Sequence, residues 1–295
     1  MIKSLAMLLV VVAVLAQGRG AVIADPAIAC DACAAWNAPQ APFKVFGNTY
    51  YVGTAGLSSV LVTSDAGHVL LDGALPQAAP LIDQNIRSLG FRTEDIRLIV
   101  NSHAHFDHAG AIAALQRASG AAVAASPAGA RALEDGRPVP DDPQAATSPF
   151  PAVTSVRVIK DGETLRVGPL AVTAHFTPGH TPGSTTWTWQ SCEDARCLHV
   201  VYADSLNAVS LPGFRFTGDA THPSRVEPFR KSIAVVAALP CDVLLTVHPE
   251  FADTSKKLAR RAAQPESNAF IDANACRVYA AGALDRLEQR IATER

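Results

Sequence analysis

The stretch that decides the fold is NSHAHFDHAG, Asn101 to Gly110, which packs His103, His105, Asp107 and His108 into six residues. Three of the nine histidines of the 295-residue chain lie here. Histidine and aspartate share one chemistry, metal ligation, yet a single ion rarely takes four ligands from so short a run. His103 and His105 are two apart, so in extended backbone they point the same way. Asp107 and His108 are adjacent, so their side chains diverge. His105 and His108 are three apart, the spacing at which a helix begins to bring side chains together. The pattern predicts two metal ions, His103 with His105 on one and Asp107 with His108 on the other.

Working outward, IRLIV (Ile96–Val100) reads as an apolar strand ending where the cluster begins. HAGAIAALQRASG, from His108, reads as a helix stopped by Gly120. Each metal still lacks a ligand. HFTPGHTPGSTTW offers His180 in a Gly/Pro turn after a strand, and DVLLTVHPE offers His248 at a strand exit. Ligands on loops at strand ends are how a rigid scaffold builds a catalytic site. Three protein ligands per ion leave a position open, the mark of a catalytic rather than a structural zinc. Imidazole with one carboxylate suits zinc, with iron and manganese as alternatives. His175 competes with His180 but sits inside a strand pattern, and His68, His199 and His222 read as ordinary surface or core residues.

The rest of the chain divides in two. FKVFGNTYYVGT, SSVLVTS and GHVLLDGA are short strands, with a hairpin at Asp65-Ala66-Gly67 and a helix opening at Pro76 and ending at Gly90. AAVAAS adds a further strand. Residues 134–151 hold five prolines and read as a long loop, either a functional lid or a linker. Strands resume with SVRVIK, ETLRVG, LAVTAHF, STTWTWQ and LHVVYADS. A helix over 225–239, the strand DVLLTV and a closing helix over about 273–291 follow. Strands with helices in each half predict an α/β sandwich, two facing sheets with helices outside.

Lys3, the apolar run Leu5–Ala16 and the small residues after it predict a secretory signal peptide over residues 1–24, cut after Ala24 or Ala16 and followed by one domain over 25–295. Export to the periplasm follows, with no stable membrane association after cleavage. Loss of Lys3 and Arg19 leaves 23 basic against 27 acidic residues, a formal charge of −4. A mildly acidic chain without a basic stripe argues against a nucleic-acid partner. The six cysteines admit fifteen pairings. Proximity favours Cys30–Cys33 and Cys192–Cys197 and leaves Cys241 with Cys276. A redox motif at Cys30-x-x-Cys33 and a cysteine zinc site are the competing readings.

HAHFDH, GHTPGS and the late VHP resemble the metallo-β-lactamase superfamily, whose fold is an αββα sandwich with a dinuclear metal site. NTYYVGT, NSHAHFDHAGAIAALQ, TPGHTPGSTTWTW, VVYADSL, LPCDVLLTVHPE and NACRVYA are similar to the third subclass of its β-lactamases, over Phe43 to Ala281. The resemblance implies that His103, His105 and His180 hold one zinc, and Asp107, His108 and His248 a second. It also implies a Cys241–Cys276 bond. At YADSL, Asp204 would bridge the metals in a glyoxalase II-like reading, whereas the lactamase subclass uses the serine, Ser205. Adjacent strand residues face opposite ways, so only one enters the site, and the other matching segments favour Ser205. Asn207 stands where the family often has a second serine, and Phe214 where it has a tyrosine; Ser205 and Asn207 are the expected substrate contacts. The implied chemistry is hydrolysis of the β-lactam amide of penicillins, cephalosporins and carbapenems by zinc-activated water, with Asp107 orienting that water. The rivals are a thioesterase or lactonase of the same superfamily and a non-catalytic exported zinc-binding protein.

Overall fold

The apolar runs assort into two mixed sheets. The computed structural model describes residues 22–220, 222–265 and 268–294, so most of the expected signal segment lies outside the described residues. After a short helix α1 (Cys33–Trp36), the first sheet takes its seven strands in chain order: β1 (Phe43–Phe46), β2 (Thr49–Tyr51), β3 (Val60–Val62), β4 (His68–Leu71), β5 (Ile96–Val100), β6 (Ala122–Ala125) and β7 (Val156–Val158). β1 to β4 form an antiparallel meander; β4 to β7 run parallel. Parallel neighbours need long crossovers, supplied by α2 (Ala79–Ser88), by α3 (Phe106–Ala109) with α4 (Ile112–Ser119), and by α5 (Pro127–Asp135).

The second sheet runs β12-β11-β10-β9-β8 in space. β8 (Thr164–Val167), β9 (Leu170–Phe176), β10 (Thr185–Glu193) and β11 (Arg196–Ala203) are antiparallel. β12 (Val243–Thr246) joins β11 in parallel after α6 (Val226–Ala238), and α7 (Thr254–Ala263) and α8 (Ala275–Thr293) close the chain. Three apolar clusters fill the layers. One lies between the first sheet and α2, α4 and α5, one between the sheets, and one between the second sheet and α6 and α8. Every residue of β3 and β4 is buried, as expected of strands covered on both faces. The architecture is the expected αββα sandwich.

Three expectations need correction. SVRVIK belongs to the first sheet, because its β7 pairs with β6. The helix expected from His108 to Ser119 is two, broken at Gly110-Ala111. There the chain docks against the turn at Pro76, and a Cβ on Gly110 would lie within 2.4 Å of the proline ring. The start of the 134–151 loop is the end of α5, whose first turn is capped by the Ser126 hydroxyl. The remainder is irregular but packed, with Val139, Asp142 and Phe150 buried. α7 carried no signal read from the sequence.

The cysteines pair as Cys30–Cys33, Cys192–Cys197 and Cys241–Cys276. The last joins the entry of β12 to α8. No helix among the described residues is long and apolar enough to cross a membrane.

Candidate metal centre

The site is anchored by a residue that the sequence reading passed over, Asp72, at the exit of β4. Its fully buried carboxylate accepts hydrogen bonds from Asn101 Nδ2 at 2.9 Å, Ser102 N at 2.7 Å, Ser102 Oγ at 2.6 Å and Tyr202 Oη at 2.8 Å. Burial pushes Asp72 up to about 6, against the opposing pull of His108 and of these donors. Asp72 also holds a left-handed φ of 60°, a conformation uncommon outside glycine, asparagine and aspartate. From the other sheet, Trp187 Nε1 donates to the Asn101 carbonyl at 3.0 Å, and Thr185 N donates to the Ser102 carbonyl at 2.8 Å. The chain leaving β5 is therefore gripped from both sheets before it presents His103.

His105 stands on extended backbone, and α3 opens immediately after it, carrying Asp107 and His108 on a helical turn. The turn after β9 brings His180, and the exit of β12 brings His248. One ring nitrogen from each of His103, His105 and His180 lies within 4.8 Å of the other two, and all three side chains are buried. His103, Asp107 and His108 form a second such group. His248 reaches this group through Asp107: its Nε2 is 3.4 Å from Asp107 Oδ2, and its ring is 4.8 Å from that of His108. The structure thus brings together all six predicted ligands, with His103 at the junction of the two groups.

The outer nitrogens show which atoms are left to face a metal. His103 Nδ1 is 2.6 Å from Asp204 Oδ1, His180 Nδ1 donates to the Asn207 carbonyl at 2.9 Å, and His248 Nδ1 meets the Gly56 carbonyl at 3.3 Å. His105 is tied by its other nitrogen, with Nε2 3.1 Å from Asp142 Oδ1. These contacts fix ring orientation and tautomer, as outer partners of metal-binding histidines do. His103 Nε2 is buried with no hydrogen-bond partner, a costly state for a polar atom unless a ligand faces it. Asp107 Oδ2 and His108 Nε2 lie 3.2 Å apart yet are not aligned for a hydrogen bond. Two ligand atoms on a tetrahedral zinc with bonds of about 2.0–2.2 Å stand about 3.3 Å apart, so both Asp107 spacings fit a common ion.

Electrostatics point the same way. Burial, then the neighbouring His103 and His105, lowers His180 to about 3. Burial, then His108 and His105, holds His103 well below the ordinary value. Both imidazoles are therefore held neutral at pH 7, the form that can ligate a metal. Burial would raise Asp107, but the facing His108 and His248 outweigh it and hold the carboxyl well below its usual range. Burial would lower His108, and Asp107 reverses that.

The groups open into a cleft of about 270 Å³ lined by Trp36, Phe106, Phe251, Gln144, Thr147, Ser205 and Asn207 as well as four of the six ligand side chains. A larger hollow, about 1170 Å³, crosses the second sheet; it holds His175 and His199 but none of the predicted ligands. Ser205 lines the cleft, whereas Asp204 stands behind His103. Burial raises the Asp204 carboxyl. His175 bonds Thr188 Oγ1 instead of joining the cluster. The 134–151 segment supplies Asp142, Gln144 and Thr147, so it is a wall of the site. Asp142 gave no separable signal within a proline-rich run. Asp72 gave one: an acid directly after the apolar run VLL.

The family profile described as metallo-beta-lactamase superfamily matches residues 53–191. The solved structure of Rm3 metallo-beta-lactamase is 53% identical, covering 90% of this chain and 99% of that one with a TM-score of 0.88. MEM-A1, a subclass B3 metallo-beta-lactamase from a soil metagenome library, is 51% identical over 88% and 98%, TM-score 0.85. SMB-1, solved with mercaptoacetic acid, is 46% identical over 88% and 99%, TM-score 0.84. On sequence, fold and site geometry together, the chain belongs to the metallo-beta-lactamase superfamily and, within it, to subclass B3.

Proposed function

We propose that the protein is an exported, zinc-dependent β-lactamase that opens the β-lactam amide of penicillins, cephalosporins and carbapenems. The observation that carries this reading is the convergence of two ligand groups on one cleft walled by Ser205 and Asn207. His103 Nε2, His105 Nδ1 and His180 Nε2 would hold one zinc, and Asp107, His108 and His248 the second. Bound zinc supplies a water acidified from a pKa of about 15.7 to about 7 and a Lewis acid for the carbonyl.

The chain's own residues do the rest. Asp107, kept ionised by His108 and His248, orients the attacking water with its carboxylate. Asp204, Asp142 and the carbonyls of Asn207 and Gly56 hold the imidazoles in register. Ser205 and Asn207 offer a hydroxyl and an amide to the substrate carboxylate, while Trp36, Phe106 and Phe251 shield the reacting bond from bulk water. Residues 1–24 direct export, the domain of residues 25–295 works in the periplasm, and the three cysteine pairs are oxidised there.

The placement of Asp204 behind His103 favours the lactamase over a glyoxalase II-like thioesterase, which needs that carboxylate between the metals. Purified protein should hydrolyse a chromogenic cephalosporin, lose that activity to a chelator and regain it with zinc. Zinc-replete protein inert toward all three β-lactam classes, yet active on a thioester or lactone, defeats the proposal. Retention of full function by Asp107→Ala would support the non-catalytic rival.

A further inference from the structure

The substrate end of the cleft has an unusual support. Among the described residues lining it none is lysine or arginine, although a β-lactam brings a carboxylate. A guanidinium reaches in from behind. Arg286 on α8 donates from Nε to Asn207 Oδ1 at 2.7 Å and lies over the Phe251 ring, 5.2 Å from its centre. Its Nη2 is buried with no hydrogen-bond partner. Gly282, one turn earlier, gives it room: a Cβ there would sit 3.3 Å from Arg286 Nη1.

This contact decides which way the Asn207 amide faces. An asparagine presents either its oxygen or its NH₂ group, and its partners choose between them. Arg286 can only donate, so it claims Oδ1. Nδ2 is then turned toward Ser205, 3.3 Å from its Oγ. Meanwhile the Asn207 main-chain carbonyl accepts from His180 Nδ1, which leaves the residue little freedom to turn. We infer that Arg286 is a positioning residue for substrate. It locks the Asn207 amide as a hydrogen-bond donor beside the Ser205 hydroxyl, so that the pair receives an anionic carboxylate, and its guanidinium places a positive charge behind them.

This inference rests on the β-lactamase reading, and the test separates the two. Wild type, Arg286→Met and Arg286→Lys are assayed with a cephalosporin as the free acid and as its neutral methyl ester, with zinc content and thermal midpoint measured alongside. Methionine keeps the stem over Phe251 and removes the donor; lysine keeps the charge without the fork. The expected result is KM for the acid raised about tenfold in Arg286→Met, the weight of one hydrogen bond to a charged group. The kcat should stay within about twofold, and KM for the ester should not move. Arg286→Lys should fall between and serves if the methionine variant does not fold. In an Asn207→Ser background the effect of Arg286→Met should shrink, because a serine hydroxyl needs no orientation. Equal losses for acid and ester, a fall in kcat alone, or no change in either substrate overturns the role of Arg286. A wild type inert toward both substrates overturns the β-lactamase reading itself.

Discussion

Replacing Asp204 by asparagine is the sharpest test of how the first ligand group is built. Asp204 Oδ1 lies 2.6 Å from His103 Nδ1, both side chains are buried, and His103 Nε2 has no other partner. Hydrogen bonds to charged groups are worth about 1.5–3 kcal/mol and are roughly twice as strong as neutral ones. Asparagine keeps an acceptor of the same size and removes the charge, so about half of that interaction is lost, about 0.8–1.5 kcal/mol. That is roughly a fourfold to twelvefold weakening of zinc affinity, at the lower edge of the 10- to 100-fold range usual for partners of metal-binding histidines. Asp204→Ala should cost more, because it strands a buried N–H. The assay is zinc competition against a chromophoric chelator, read together with stoichiometry and kcat. Weaker binding at an unchanged two zincs per chain is expected. Loss of one whole metal equivalent in Asp204→Asn would show the carboxylate to be a ligand, and unchanged affinity would show it to be packing; either result refutes the reasoning.

Acid should destabilise the zinc-free protein. His180 falls to about 3 in the fold against about 6.5 unfolded, so the unfolded chain binds more protons between those values and stability drops as pH falls through that window. His103 and Asp107 act in the same sense, while His108, Asp72 and Asp204, all raised in the fold, act in the opposite one and soften the decline; thermal midpoints of chelated protein should decline as pH falls below 6.5, and decline less in His180→Ala. Gly110→Ala should cost about 1–3 kcal/mol from overpacking against Pro76 and weaken zinc binding, read by urea unfolding and metal titration. Removing Cys241 and Cys276, 35 residues apart, should cost about 3–4 kcal/mol by loop entropy, and reductant should abolish the difference between the two proteins.

The local chemistry was legible because it is written in short range. The shared direction of His103 and His105, and the divergence of Asp107 and His108, follow from backbone period alone, and the turns holding His180 and His248 are marked by glycine and proline. The sheets could be read from β-branched runs, but strand membership could not. SVRVIK looks the same in either half, and only pairing with β6 assigns it. The break at Gly110 depends on Pro76, thirty-four positions earlier, and no helical period reports such a collision. The outer partners were hidden for the same reason. Asp142 and Arg286 lie 37 and 79 residues from the groups they hold, and nothing in their own neighbourhoods marks them; Asp204, 101 residues from His103, was marked only as a possible metal bridge, not as the partner of an imidazole. At YADSL, adjacent-residue geometry said only that one of Asp204 and Ser205 could enter the cleft; the preference for Ser205 came from the family resemblance.

Residues 137–151 do two jobs with one segment. Gln144 and Thr147 shape the wall that a substrate meets, while Asp142, between them and α5, steadies His105. A change in this segment that admits a bulkier antibiotic therefore also alters the grip on the metal. On the proposed reading, variants of broader substrate range arising here should be the first to lose activity where zinc is scarce.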